Sequence, residues 1–132
     1  MPGYSGTPLA KKLGIKENFR VAFHRLPREV KAELLASLAS CKSAPSQLDF
    51  AMVFVRSQAE LEKEFPRHAI HLAPAGMLWV SWPKKNSKVA TDLDDNIVRQ
   101  IGLANGLVDV KVCAVSEIWS GLKFVIRLKD RA

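Results

Sequence analysis

The sequence predicts an α/β fold, an open mixed sheet of five strands with helices on both faces. Two observations carry that expectation. From Phe19 to Gly106, segments of strand character alternate with segments of helical period, the pattern of strands joined by crossover helices. The run Phe50-Ala51-Met52-Val53-Phe54-Val55 is apolar throughout, and a short strand without polar alternation is one buried on both faces, as in a parallel sheet covered by helices. The 132 residues read as one domain, with residues 1–18 as a docking segment carrying a short helix.

In that opening segment Thr7 is placed to N-cap the helix, Pro8 to begin it and Gly14 to end it, while Leu9, Leu13 and Ile15 dock it on the body. Phe19, Val21 and Phe23 alternate with Arg20, Ala22 and His24, which makes Phe19–His24 the first strand. Pro27 starts a helix whose apolar stripe is Val30, Leu34, Leu35 and Leu38, and the Ser43–Ser46 stretch with Pro45 breaks it. After the Phe50–Val55 strand, Ser57 and Glu60 form a capping box ahead of Leu61 and Phe65. Ala73–Gly76 reads as a turn, Met77–Trp82 as the third strand and Pro83–Ser87 as a polar loop. Thr91 caps a helix with Asp92, Asp94 and Asp95 in its first turn, a stripe of Leu93, Ile97 and Ile101, and an end at Asn105-Gly106. Leu107–Val115 and Leu122–Leu128 read as an antiparallel hairpin joined through Ser120-Gly121.

Twenty Lys and Arg against 13 Asp and Glu leave a net charge of +7, which favours phosphate-bearing or acidic partners. The two cysteines, Cys41 and Cys113, do not form a disulfide framework and suit a reducing cytoplasm. No apolar stretch approaches the roughly 20 residues of a membrane span, so no membrane partner is expected. The basic residues are spread along the chain, and Lys111, Lys123 and Arg127 lack an aromatic ladder beside them. Weak, sequence-independent nucleic-acid binding is therefore the most that the charge supports.

Three segments, GYSGTPLAKKLGIK, LWVSWPKKNSKVATDL and GLVDVKVCAVSEIWSGLKFVIRLK, resemble an uncharacterised bacterial family, a domain of unknown function. A second resemblance is partial. His71-Leu72-Ala73-Pro74-Ala75-Gly76-Met77-Leu78-Trp79-Val80 is similar to the strand entry of class I methyltransferases, and Gly106–Arg127 to their terminal strand pair. That likeness implies a three-layer Rossmann-like domain with the spatial order 1-2-3-5-4 and an antiparallel last strand. It also exposes a departure. Methyltransferases hold S-adenosylmethionine with a glycine-rich loop after the first strand and an acidic residue at the end of the second. Here the first strand is followed by His24-Arg25-Leu26-Pro27-Arg28, and the strand that would carry the acid is missing. The resemblance thus implies the fold, with no cofactor.

Ligands of open α/β sheets bind beyond the carboxyl ends of the strands. The residues that fall there are His24 and Arg25 after the first strand, Arg56 after the second, Trp82, Lys84, Lys85, Ser87 and Lys88 after the third, and Glu117, Trp119 and Ser120 in the hairpin connection. They form a cationic edge for a small phosphate or carboxylate ligand. The expected protein is a non-enzymatic cytoplasmic binding or regulatory module. The alternative is an enzyme acting on a small phosphorylated or carboxylated substrate, with His24 as its base. The Asp92, Asp94 and Asp95 acids read as dipole-stabilising residues; Glu64, His68 and His71 would share a face only on a continuous helix, which Pro66 interrupts, and the histidines read as partly exposed surface groups near a helix end, so no metal site is expected. Cys41 lies after a helix end and Cys113 within a strand, neither a setting for a nucleophile.

Overall fold

A computed structural model describes residues 7–131; the Ser5-Gly6 pair of the opening motif lies outside them. The helices are α1 (Leu9–Leu13), α2 (Arg28–Leu38), α3 (Gln58–Ala69) and α4 (Asp95–Ala104). The strands are β1 (Arg20–His24), β2 (Lys42–Ser43), β3 (Leu48–Phe54), β4 (Leu72–Pro83), β5 (Leu107–Ala114) and β6 (Trp119–Ile126). Strand alternation divides the apolar residues between two layers. Phe50, Met52, Phe54 and Trp79 pack with Leu13 of α1 and with Val30 and Leu34 of α2. Ala51, Val53, Leu78, Val80 and Phe124 pack with Leu61 and Phe65 of α3 and with Val98 and Ile101 of α4. The sheet is thus covered on both faces, as the apolar β3 run requires.

The sheet has six strands in the order β2-β1-β3-β4-β6-β5 rather than the expected five in the order 1-2-3-5-4. The added member is the edge strand β2, which pairs parallel to β1 through Arg20↔Lys42 and Val21↔Ser43. Two polar residues ahead of Pro45 carry no strand pattern; their pairing comes from β1 alone, through Lys42 N–H to Phe19 O (2.9 Å) and Ala44 N–H to Val21 O (3.2 Å). β1, β3 and β4 are parallel, and β6 runs antiparallel between β4 and β5.

Other boundaries also move, each for a packing reason. The expected Ala73–Gly76 turn is absorbed into β4, where the register steps from Leu48↔Leu72 to Phe50↔Met77. Gly76 is needed there because a Cβ would stand 2.2 Å from Leu48 O. Ser120-Gly121 lies inside β6, and the hairpin turns earlier, closed by Val115 N–H to Trp119 O at 2.9 Å. Gly121 is small for packing rather than for turning: a Cβ would sit 2.9 Å from Val115 and 3.2 Å from the Trp79 ring. Pro8, not Thr7, precedes α1 without a side-chain cap. Asp94, not Thr91, caps α4 by accepting from Ile97 N–H at 2.8 Å, while Thr91 accepts from Leu93 N–H. α3 runs through Pro66 instead of stopping at it.

The short helix α1 has too few residues to persist alone. The Trp79 indole anchors it by donating to Leu13 O at 2.8 Å in a buried hydrogen bond, and Gly14 turns the chain away at φ 89°. On the opposite face α4 approaches the sheet so closely that a Cβ on Gly102 would lie 2.0 Å from the Phe124 ring. Gly102→Ala is therefore expected to destabilise the fold by about 3 kcal/mol, the upper range of overpacking, as read from a denaturant unfolding midpoint. An unchanged midpoint contradicts this account of the α4–β6 contact.

Candidate functional site

The chain leaves β1 through α2 toward β2 on one side and leaves β3 through α3 toward β4 on the other. The connections part between the carboxyl ends of β1 and β3, the switch point at which open α/β sheets hold ligands. A cleft of about 320 Å³ lies there. Its walls are Arg25 and Pro27 after β1, Arg28 and Glu29 at the start of α2, Phe54 and Arg56 at the end of β3, Val89, and Ile118 and Trp119 of the hairpin. Three arginines and one glutamate thus line it, and the first turn of α2 adds the positive end of a helix dipole.

Each wall residue has a local cause. Arg25 takes the left-handed conformation at φ 56°, which turns the chain off β1. Arg56 lies 5.9 Å from the Trp119 ring centroid, close enough for a cation–π contact. Trp119 in turn meets Phe54 edge-on at 5.2 Å and is only 4 % exposed. It therefore supports Arg56 more than it offers a stacking platform.

Of the residues expected to form an anion edge, the fold brings Arg25, Arg56 and Trp119 together at this cleft. It places the others elsewhere. Trp82 is buried in the layer of α3 and α4. Lys84 donates its backbone N–H to Ile118 O at 2.7 Å and starts a 3₁₀ turn over Lys85–Ser87, where Ser87 Oγ donates to Lys84 O at 2.6 Å. Lys88 follows at φ 67°, and none of these four residues lines the cleft. Arg28 and Glu29 were not anticipated, although Pro27 at the start of α2 is a signal that the next two residues sit at its cationic end.

Beside the cleft lies a network of charged side chains. His24 Nε2 is 3.0 Å from Glu60 Oε2, and His24 Nδ1 is 3.5 Å from Glu64 Oε1. Arg25 donates to Glu60 Oε2 at 3.1 Å, and Arg67 to Glu64 Oε2 at 3.1 Å. His24 does not line the cleft; it borders an open, shallow depression with Arg25, Lys63 and Glu64. With both ring nitrogens facing carboxylates, it has none directed at a ligand in the cleft, so the geometry does not provide the base expected there. Burial pushes the Glu60 carboxyl up, but hydrogen bonds from His24, the Arg56 N–H and Arg25 outweigh it and hold the group below its ordinary 4.5.

The remaining candidates have structural partners. Asp92 accepts from Gln58 N–H at 2.8 Å, so it closes the start of α3 rather than of α4. Glu64 and His68 share a face of α3, and His71 lies beyond its end. Among the described residues no group of three or more His, Cys, Asp or Glu is arranged to hold a metal ion. Burial pushes the Cys113 thiol up, against the nearby charges of Lys12, Lys111 and Lys84. No helix among these residues is long and apolar enough to cross a membrane.

The topology, with an antiparallel strand inserted between β4 and β5, defines the class: a Rossmann-like sheet of the methyltransferase type. Solved structures bear this out. Magnesium protoporphyrin IX methyltransferase from Synechocystis PCC 6803 with bound SAM is similar at a TM-score of 0.58 and 10% identity, covering 89% of this chain and 74% of that one. A SAM-dependent methyltransferase from Aquifex aeolicus gives 0.57 and 13%, covering 88% and 86%. Fibrillarin from Aeropyrum pernix with natively bound S-adenosyl-L-methionine gives 0.52 and 11%, covering 93% and 70%. Neither a protein-family model nor a curated protein matches the chain. The expectation of a non-enzymatic binding or regulatory module is overturned by these neighbours, whose shared fold is that of enzymes solved with SAM or SAH bound.

The cleft offers such a cofactor few of the groups that hold it in that fold. Where a glycine would let backbone approach it, Arg25 carries a full side chain at its left-handed position, and Pro27 has no N–H to donate. The edge strand β2 offers Lys42 and Ser43 in place of a ribose-binding acid. The arginines suit a carboxylate, but the residues do not fit the adenosyl half.

Because the Glu60 carboxyl is held low, the stability it contributes is present above pH 4.5 and is lost as pH falls through its lower folded value. Wild-type unfolding free energy should drop across that window, and E60Q should flatten that part of the curve; equal slopes in the two proteins contradict the assignment.

Proposed function

We propose that the protein is an enzyme of the methyltransferase-like fold that binds a small carboxylate- or phosphate-bearing molecule in the cleft between β1 and β3. The observation that supports this most directly is the position of Arg25, Arg28 and Arg56 at the switch point of the sheet. Guanidinium groups favour carboxylate and phosphate because their planar N–H fork matches those oxygens. Arg56, backed by Trp119, is the residue whose position is best supported. The resemblance of the three long segments to a bacterial family, and the two free thiols, fit a cytoplasmic protein.

A second reading is favoured by the ligands of the neighbours: S-adenosylmethionine, with its carboxylate on the arginines and Glu29 as the acid in the cleft. Against it stands Arg25, whose side chain occupies the left-handed position where a glycine would let backbone approach the cofactor. A calorimetric and thermal-shift titration with inorganic phosphate, citrate, S-adenosylmethionine and S-adenosylhomocysteine separates the two. At 100 times its dissociation constant a bound ligand should stabilise the fold by about 2.7 kcal/mol. R56A should weaken the effective ligand roughly tenfold or more, the loss of one charge-assisted hydrogen bond. Binding of the two simple anions alone supports the first reading, and binding of the adenosyl compounds alone the second. No stabilisation by any of the four overturns both.

A further inference from the structure

Glu60, in the first turn of α3, joins His24 to two residues that line the cleft, Arg25 and Arg56. Its Oε2 lies 3.0 Å from His24 Nε2 and accepts from Arg25 at 3.1 Å, and its Oε1 accepts from the Arg56 N–H at 3.0 Å. The Glu60 side chain is 18 % exposed while that of Arg25 is 67 % exposed. Arg25 lines the cleft, yet it already has an anion. A ligand entering the cleft must compete with Glu60 for that guanidinium.

His24 is the other side chain within hydrogen-bond distance of the Glu60 carboxylate. Two carboxylates face it, Glu60 at Nε2 and Glu64 at Nδ1, and a neutral imidazole has only one N–H to donate between them. Protonation supplies the second N–H and a full charge. The remaining charged neighbours do not provide the same exchange. Glu64 is already shared with Arg67 at 3.1 Å and His68 at 3.9 Å. The His68 ring stands 6.1 Å from that of His24, Lys63 borders the outer depression, and Arg28 faces the cleft from α2. Hydrogen bonding holds the Glu60 carboxyl below 4.5 despite its burial, so Glu60 remains an anion throughout the pH range in which histidines titrate.

We propose that Glu60 is an internal anion that holds Arg25 away from ligand, and that protonation of His24 releases Arg25 to the cleft. This rests on the reading of the cleft as an anion site and names its regulation. The ligand class it favours is a dianion of the sulfate or phosphate-monoester type, able to displace a carboxylate and to use all three guanidinium groups. Affinity then rises as pH falls.

Sulfate is the probe, because its charge is constant between about pH 5.5 and 8, so that any pH dependence belongs to the protein. Wild type is expected to bind sulfate several-fold more tightly at the lower pH. E60Q, which keeps an oxygen to accept from Arg56 N–H, should bind at the higher pH as tightly as wild type does at the lower, without a pH slope. H24Q should keep the weaker affinity throughout. A slope that persists in H24Q, or a weaker affinity in E60Q, overturns the proposal. The side-chain Nε–Hε resonance of Arg25 in the ligand-free protein is a second readout: it should shift with falling pH in wild type and stay fixed in H24Q, and a fixed signal in wild type also overturns the proposal. If none of the three proteins binds sulfate while that resonance still shifts, the release of Arg25 stands and the anion reading of the cleft fails.

Discussion

The structure depends on one constraint: β3 is apolar on both faces and must be covered on both. Phe50, Met52 and Phe54 are buried against α1 and α2, and Ala51 and Val53 against α3 and α4. A single layer of helices would leave one set in water, at roughly 1.5–3 kcal/mol for each large side chain. The chain meets the requirement by sending its β1 connection over one face and its β3 connection over the other. A crevice at the carboxyl ends of these two strands is the geometric result, and it is the place where three arginine side chains gather. The candidate site is thus a consequence of core burial rather than an addition to it.

The charge arrangement around that crevice follows from helix chemistry. Ser57 caps α3, with Glu60 N–H donating to Ser57 Oγ at 3.1 Å, while the Glu60 carboxylate reaches past the cap residue to Arg56 N–H instead of closing the expected box on Ser57 N–H. A carboxylate at that position normally ends its role at the cap. Here β1 runs alongside β3 in register through His24↔Val53, which brings His24 and Arg25 onto the same carboxylate. A local device for starting a helix thereby becomes the centre of a network linking two strands. The network also accounts for His24, whose two ring nitrogens face carboxylates and which does not serve the cleft as a base.

Likeness to methyltransferases and departure from them have separate physical origins. The sheet order and the inserted antiparallel strand follow from how the layers pack, and many unrelated residues satisfy that requirement; identities of 10–13% to the neighbours are enough to keep it. Cofactor recognition depends on particular backbone at the end of β1 and a particular side chain on the next strand. Those are the positions where this chain has Arg25, Pro27 and the two-residue β2. A fold can therefore be shared while the residues around its cleft differ.

Much of the architecture was legible in the residues alone because it rests on periodicity and short-range chemistry. The apolar β3 run, the Ser57 cap and the Gly14 stop each have one low-energy local outcome, and Arg25, Arg56 and Trp119 fall at one sheet edge once strand direction is known. What depended on distant neighbours was not legible. β2 exists only because β1 offers it hydrogen-bond partners, Ser120-Gly121 is strand because Trp79 needs the space, and Trp82 turns away from the cleft because strand parity sends it to the other face. The charge on Arg25 was plain in the sequence, but its engagement with Glu60 was decided by tertiary structure, since only the packing of β1 beside α3 brings residues 35 positions apart within 3.1 Å.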